Sequence, residues 1–266
     1  MSAPRAMILR APGINCERET HHAFARAGAR PDYVHIRQLL DEPALLEAFR
    51  ILAVPGGFSY GDDISSGRVL AQEMKSRLGE RVLRFVERGG LVLGICNGFQ
   101  VLVRLGLLPC SQGRLAEEVT LTHNLSNHYE CRWVTLKTQP SRCVFLPPGL
   151  LLSWPAAHGE GRLVARDAAA QRLLVEEGFV ALRYVDGGGE PTERYPQNPN
   201  GAALGIAGLT NHNGRVLGVM PHPDRSYLPT HMPDWRRTQL ERGGLPIDGD
   251  GMVVFREVVR VAQGEG

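Results

Sequence analysis

At 266 residues, with a formal charge of +2 and 43% hydrophobic content, the chain can bury one large core or two modest ones and should be globular. No run nears the roughly 18 apolar residues a membrane span needs, and MSAPRAMILR lacks the apolar core and cleavage site of a signal peptide, so a cytoplasmic location is expected. The 30 basic residues, all arginine except Lys75 and Lys137, form no nucleic-acid footprint, and Cys16, Cys96, Cys110, Cys131 and Cys143 contain no C-x-x-C pair, which excludes a disulfide framework or a zinc ribbon.

In chain order, apolar runs alternate with helix-period segments, the pattern of a parallel sheet with crossover helices. AMILRAP predicts a first strand and CERETHHAFARAG a helix closed by Gly28. PDYVHIR predicts a second strand, EPALLEAF a short helix, and ILAVPGG a third strand ending in a Pro-Gly-Gly turn. SSGRVLAQEMKSRLGERVLRFVERGG predicts one long helix or two abutting ones, stopped by Gly89 and Gly90. LVLGIC is a fully buried fourth strand, with the helix GFQVLVRLGLL directly behind its cysteine.

Beyond residue 115 the period shortens toward two. EEVTLTH and YECRWVTLKTQ predict antiparallel strands, LPPGLLLSWP irregular chain, DAAAQRLLVEEG a helix and FVALRYVD a strand. ALGIAGLTNHNGRVLGVMPHP predicts a hairpin turning at Asn213-Gly214, and GMVVFREVVRVAQ a last amphipathic helix. With no repeat and no long linker, residues 1–266 read as a single mixed α/β domain.

A residue on a tight turn between a buried parallel strand and a helix projects its side chain at the carboxyl edge of the sheet, where open α/β folds bind ligands. Cys96 has that position, with Gly94 and Gly98 clearing space beside it, and the start of a helix at Asn97 stabilises a thiolate there. Taken alone, the same residue is equally a small apolar filler at a strand end. A thiol nucleophile needs a base and a group to orient that base. His222 and Asp224 follow the buried strand VLGVM, one residue apart, so in an extended segment both leave the same face. By itself this pair reads more readily as a loop histidine beside an incidental acid. Gly56 and Gly57 supply a second strand-end loop, able to complete an oxyanion hole or to be a plain turn, and no G-K-[ST] follows to make it a Walker loop.

PGGFSYGDD, GICNGFQ and MPHPDR, in this order and at strand ends, resemble the class I glutamine amidotransferases with their Cys–His–acid triad. RAPGINCERE, NHYECRW, HGEGR and ALRYVDGGGEPTERYPQNPNGA extend the similarity, from about residue 10 to 225, to the purine-biosynthesis branch of that family. The resemblance implies a flavodoxin-like three-layer α/β/α fold, its mixed central sheet carrying antiparallel additions in the second half. It implies a glutaminase that passes ammonia through a shielded passage to a separate ATP-dependent synthetase subunit, with a small third subunit in some systems. Carried over by position, Cys96 is the nucleophile, His222 the base and Asp224 its orienter. Gly57 and Asn97 hold the oxyanion, and Gln100 lies against the bound glutamine. Phe58, Tyr60 and the 61–68 loop line or gate the passage toward the partner. No cofactor or metal is implied for this chain, while ATP and magnesium belong on the partner, and neither nucleic acid nor membrane is expected. The family usually carries H-P-E where this chain has H-P-D, so either the backbone lies closer at Asp224 or its hydrogen bond to His222 is looser.

Two other readings use the same residues. The DJ-1/PfpI-like hydrolases share the cysteine elbow but lack the late H-P-acid motif, and a non-catalytic scaffolding subunit would not need Cys96 and His222 intact. His123, His128 and Cys131 have no recognised metal spacing, Asp62-Asp63 reads as a solvated turn, DGGGEP as a flexible turn within a candidate interface loop, and residues 226–250 carry no assigned role.

Overall fold

The computed structural model describes residues 3–265. The first half runs β1 (Arg5–Arg10), α1 (Glu17–Arg26), β2 (Arg30–His35), α2 (Ile36–Asp41), β3 (Ile51–Val54), α3 (Arg68–Glu87), β4 (Leu91–Ile95) and α4 (Asn97–Leu105). The second half runs β5 (Val119–Thr122), β6 (Glu130–Thr138), β7 (Leu151–His158), β8 (Arg162–Ala165), α5 (Ala168–Glu176), β9 (Val180–Tyr184), β10 (Ile206–Thr210), β11 (Val216–Val219), α6 (Trp235–Arg242) and α7 (Met252–Ala262).

One nine-stranded sheet passes through both halves in the order β2-β1-β3-β4-β11-β10-β9-β6-β7. Neighbours from β2 to β11 are parallel, and those from β11 to β7 antiparallel. From β1 the chain moves outward to β2 and then back to β3 on the other side. Right-handed crossovers therefore put α1 on one face and α3 on the other. The packing agrees: α1 lies against α7, where the Phe24 and Phe255 rings meet edge-on with centroids 5.0 Å apart, while α3 lies against α4. The strand-order reversal between β1 and β3 is a topological switch point, the place where open α/β sheets leave a crevice beyond their strand ends. β5 and β8 form a separate two-stranded ribbon.

Several elements differ from the sequence pattern. The segment predicted to be irregular holds the first five residues of β7, hidden by its prolines. Pro147 and Pro148 belong to the preceding turn, and Pro155 sits inside the outermost strand, opposite Trp133 of β6. The carbonyl of Pro155 faces away from β6 and accepts from the His222 N–H at 2.8 Å, so the missing proline N–H is no loss to the ladder. The predicted second strand stops at His35, whose Nδ1 accepts from the Arg37 N–H and starts α2. EPALLEAF forms a 3₁₀ turn over Pro43–Ala48 rather than an α-helix. The long helix is continuous as α3, and β8 has no counterpart in the predicted elements. The 186–191 turn is ordered by Asp186, whose Oδ1 accepts from the N–H groups of Gly188 and Glu190.

Helix α4 is buried almost throughout because it is wedged between α3 and the sheet. The wedge is tight at Gly98, where an added Cβ would lie 1.8 Å from the Val54 carbonyl oxygen of β3. Gly98→Ala should therefore displace α4 and lose more than the roughly 1–3 kcal/mol typical of overpacking. Gly149→Ala, with φ +83 and nothing within 4 Å of the new atom, should cost only its backbone strain, on the order of 1–2 kcal/mol. Urea unfolding midpoints at unchanged m values compare the two, and equal losses would contradict the packing.

Candidate active site

The buried strand β4 leads directly into Cys96, whose backbone takes φ 53 and ψ −106, a combination that costs on the order of 1–3 kcal/mol unless its surroundings enforce it. Its N–H still reaches the Val219 carbonyl at 2.7 Å as a last rung of the β4–β11 ladder, while its carbonyl accepts from Gln100 N–H as the first rung of α4. The backbone is thus pinned on both sides of the turn. Cys96 is 6% exposed, and its sulfur lies 3.7 Å from the Ala157 carbonyl oxygen of β7.

His222 and Asp224 arrive from the end of β11. They do not lie in one extended segment, as their spacing alone would suggest. His222 is extended, but Pro223 opens a 3₁₀ turn through Arg225, and this turn brings the carboxylate back beside the ring. The Nδ1 of His222 lies 3.0 Å from Asp224 Oδ1, with both side chains at 1% exposure or less. Aspartate therefore reaches the histidine through this turn with an ordinary hydrogen bond. Burial alone would depress the imidazole pKa. The Asp224 charge and then the neighbouring Cys96 sulfur, each also through a hydrogen bond, outweigh that and raise it to about 9. A second histidine, His158 at the end of β7, is pushed down to about 3 by burial and by His222, and is neutral at ordinary pH.

The two strand-end loops meet in front of the thiol. Phe58 N–H donates to Gly13 O at 2.9 Å and Tyr60 N–H to Pro12 O at 2.7 Å, so residues 12–16 brace the loop after β3. Gly57 has φ +142. The N–H groups of Gly57 and of Asn97, the first residue of α4, donate to no acceptor among the described residues. Gly56 leaves room where the parts converge: an added Cβ would lie 2.8 Å from His222 Cε1, 3.3 Å from Cys16 Sγ and 3.5 Å from Cys96 Cβ.

Asn97 and Gln100 organise the next layer. Asn97 Oδ1 accepts from Ser59 N–H, and its Nδ2 donates to Asp62 and to Gln100 Oε1. Gln100 Nε2 donates to the Glu160 carbonyl at 2.6 Å, so its amide clamps the HGEGR loop to α4. A pocket of about 230 Å³ opens here, lined by Phe58, Asp62, Ser66, His123, Asn127, His128, Tyr129, Gly159 and Glu160. Phe58, 45% exposed, stands at this mouth. Tyr60 does not line it, because its hydroxyl donates to Glu73 on α3 at 2.6 Å. Asp62 is not a solvated turn residue. Half-buried, it accepts from Ser66 Oγ, Gly67 N–H and Asn97 Nδ2, and burial raises its pKa. His123 and His128, which carried no role in the sequence, enter the lining through a loop far from Cys96 in the chain.

Cys16, His222 and Asp224 place one donor atom each within 4.8 Å of one another. The set does not suit a cation, since Arg225 Nη2 already donates to Cys16 Sγ at 2.9 Å and burial, with Asp224, pushes that thiol up to about 12.

The CobB/CobQ-like glutamine amidotransferase domain matches residues 3–260. The chain is 42% identical over 264 residues to the phosphoribosylformylglycinamidine synthase subunit PurQ of Dehalococcoides mccartyi, with 99% of each covered. It is similar to a chain in the structure of PurLQS from Thermotoga maritima, with TM-score 0.70 and 32% identity over 97% of this chain and 99% of that one. A glutamine amidotransferase from Methylobacillus flagellatus shares the fold, with TM-score 0.52 and 15% identity over 100% of this chain and 95% of that one.

The two buried histidines should give stability opposite pH dependences. His222, raised to about 9, contributes stability that is complete below the unfolded value of roughly 6.5 and is lost as pH rises through 9. His158, lowered to about 3, contributes stability that is present above roughly 6.5 and is lost as pH falls from there toward 3. Ring-proton NMR titration should show His222 protonated and His158 neutral at pH 7, and the reverse assignment would overturn this electrostatic picture.

Proposed function

The chain belongs to the CobB/CobQ-like glutamine amidotransferase family and is a glutaminase subunit of phosphoribosylformylglycinamidine synthase, and on that footing we propose that Cys96, His222 and Asp224 carry out its chemistry. The observation that carries the proposal is the strained Cys96 elbow beside a buried His222–Asp224 pair joined at 3.0 Å.

The Cys96 thiolate attacks the amide carbon of glutamine. The free N–H groups of Gly57 and Asn97 receive the developing oxyanion. Imidazolium at His222, held by Asp224, protonates the leaving ammonia, and the same ring then activates the water that hydrolyses the glutamyl thioester. The carboxylates of Asp62 and Glu160 give the neighbouring pocket the charge that suits the ammonium group of glutamine. Gln100 serves the pocket by fixing the Glu160 loop.

Ammonia passes to the ATP-dependent synthetase subunit, which binds ATP and magnesium, with a small third subunit in the complex. Phe58 and the loop after it form the gate. Tyr60, Gly61 and Asp62 there take φ of 55, 70 and 54 in succession, so two non-glycine residues are held in the left-handed region. A loop loaded in this way can relax to another arrangement when a partner contacts it.

Cys96→Ala should abolish glutamine-dependent synthesis by the complex and spare ammonia-dependent synthesis. Loss of both would make Cys96 structural. Asp224→Asn should lower glutaminase turnover by up to about 10⁴ with the fold retained, as wrong-tautomer variants do, and full activity would remove Asp224 from the mechanism. Glutamate release by the isolated chain should rise about 10²–10³-fold when the substrate-loaded synthetase is added, the value of one correctly placed oxyanion donor. Equal rates would leave the loop as a static wall.

A further inference from the structure

The motif RAPGINCERE finds no role in the triad chemistry, yet its cysteine lies against the acid of the triad. Cys16 is fully buried, with its sulfur within 4.8 Å of an Asp224 carboxylate oxygen and a His222 ring nitrogen. Its N–H and that of Asn15 both donate to the Gly56 carbonyl, so its position is tied to the loop that carries Gly57.

The carboxylate beside it is unevenly satisfied. Oδ1 pairs with His222. Among the described residues Oδ2 has only the Thr20 hydroxyl at 3.4 Å, and the single proton of that hydroxyl is directed to the Cys16 carbonyl at 2.8 Å. A buried carboxylate oxygen in this state invites a guanidinium, and an arginine–carboxylate pair is among the stronger charge-assisted contacts. Arg225 is the next residue in the chain. It nevertheless makes no ion pair with Asp224 within 4.0 Å among the described residues, and instead gives its Nη2 to Cys16 Sγ at 2.9 Å.

We propose, resting on the triad assignment above, that Cys16 is a positioning residue for the glutaminase reaction. Its neutral thiol stands between the Arg225 guanidinium and the Asp224 carboxylate and keeps the ion pair of that carboxylate directed at His222. The arginine then supports the buried anion at one remove. Burial and the Asp224 charge keep the thiol protonated, so the spacer adds no charge of its own, and the S–H points to Asn15 Oδ1 at 3.3 Å. The charged and titratable groups around His222 are Asp224, Cys96, Cys16, His158 and Arg225.

The test uses the assembled synthase and reads the alkaline limb of kcat/KM for glutamine, which follows loss of the His222 proton. In Cys16→Ala the guanidinium gains access to Asp224, and the limb should move to lower pH by about one unit, a tenfold change in the protonation equilibrium, with kcat reduced and KM unchanged. In Cys16→Ala/Arg225→Met the competing cation is gone, and the limb should return to or pass the wild-type position. Cys16→Ser keeps an acceptor for Arg225 and should keep the wild-type limb. Arg225→Met alone, which leaves the packing at Cys16 intact if the alanine variant does not fold, should move the limb to higher pH. An unmoved limb in Cys16→Ala, a double variant no better than the single, or a downward shift in Arg225→Met would each overturn the proposal. Failure of the triad itself would appear separately, as glutamine-dependent activity surviving in Cys96→Ala.

Discussion

The backbone turn at Cys96 fixes where every other part of the site must stand. At φ 53 and ψ −106 it is unfavourable in isolation, and it persists because β4 cannot withdraw from the centre of a parallel sheet and α4 cannot withdraw from β3. Gly98 sits so close to the Val54 carbonyl that no side chain fits between helix and strand. The packing of one buried helix therefore supplies the energy that holds the thiol at the sheet edge, and the same approach presents the first N–H of that helix beside it.

A second dependence is electrostatic. Asp224 and His222 are almost completely withdrawn from water, where an unpaired charge of either sign would be prohibitive. The Asp224 charge favours the imidazolium of His222, with Cys96 adding to that field. The surrounding shell is arranged to avoid further competition: His158 nearby is held neutral, Cys16 is held as a thiol, and the Arg225 guanidinium is engaged by sulfur.

The antiparallel half of the sheet contributes backbone more than side chains. β7 reaches the carboxyl ends of the parallel strands, where two of its alternate carbonyls face the site, Pro155 toward the His222 N–H and Ala157 toward the Cys96 sulfur. The outer edge of the outermost strand is thereby used to anchor the His222 backbone, and a proline within that strand is compatible because its outer side offers only a carbonyl.

Features that depend on neighbours along the chain are legible in the order of the amino acids. Alternation of apolar runs with helical periods marks the parallel half, Gly94-Ile95-Cys96-Asn97-Gly98 marks a strand-to-helix turn, and His222 with Asp224 marks a close pair whose roles come only from the family resemblance. These survive as local facts because a strand, a tight turn and a two-residue spacing are each set by a few consecutive dihedral angles. Assembly in three dimensions was needed to show that the histidine and acid meet through a 3₁₀ turn, that Asp62 faces inward while Tyr60 is drawn off to Glu73, that β7 is a strand, and that Cys16 stands behind Asp224. Cys16 and Arg225 are 209 positions apart, and no periodicity relates two such residues. They meet because the strand ends of β1 and β11 are brought to one edge of the same sheet, and sheet order is set by the burial of whole faces rather than by the spacing of any motif.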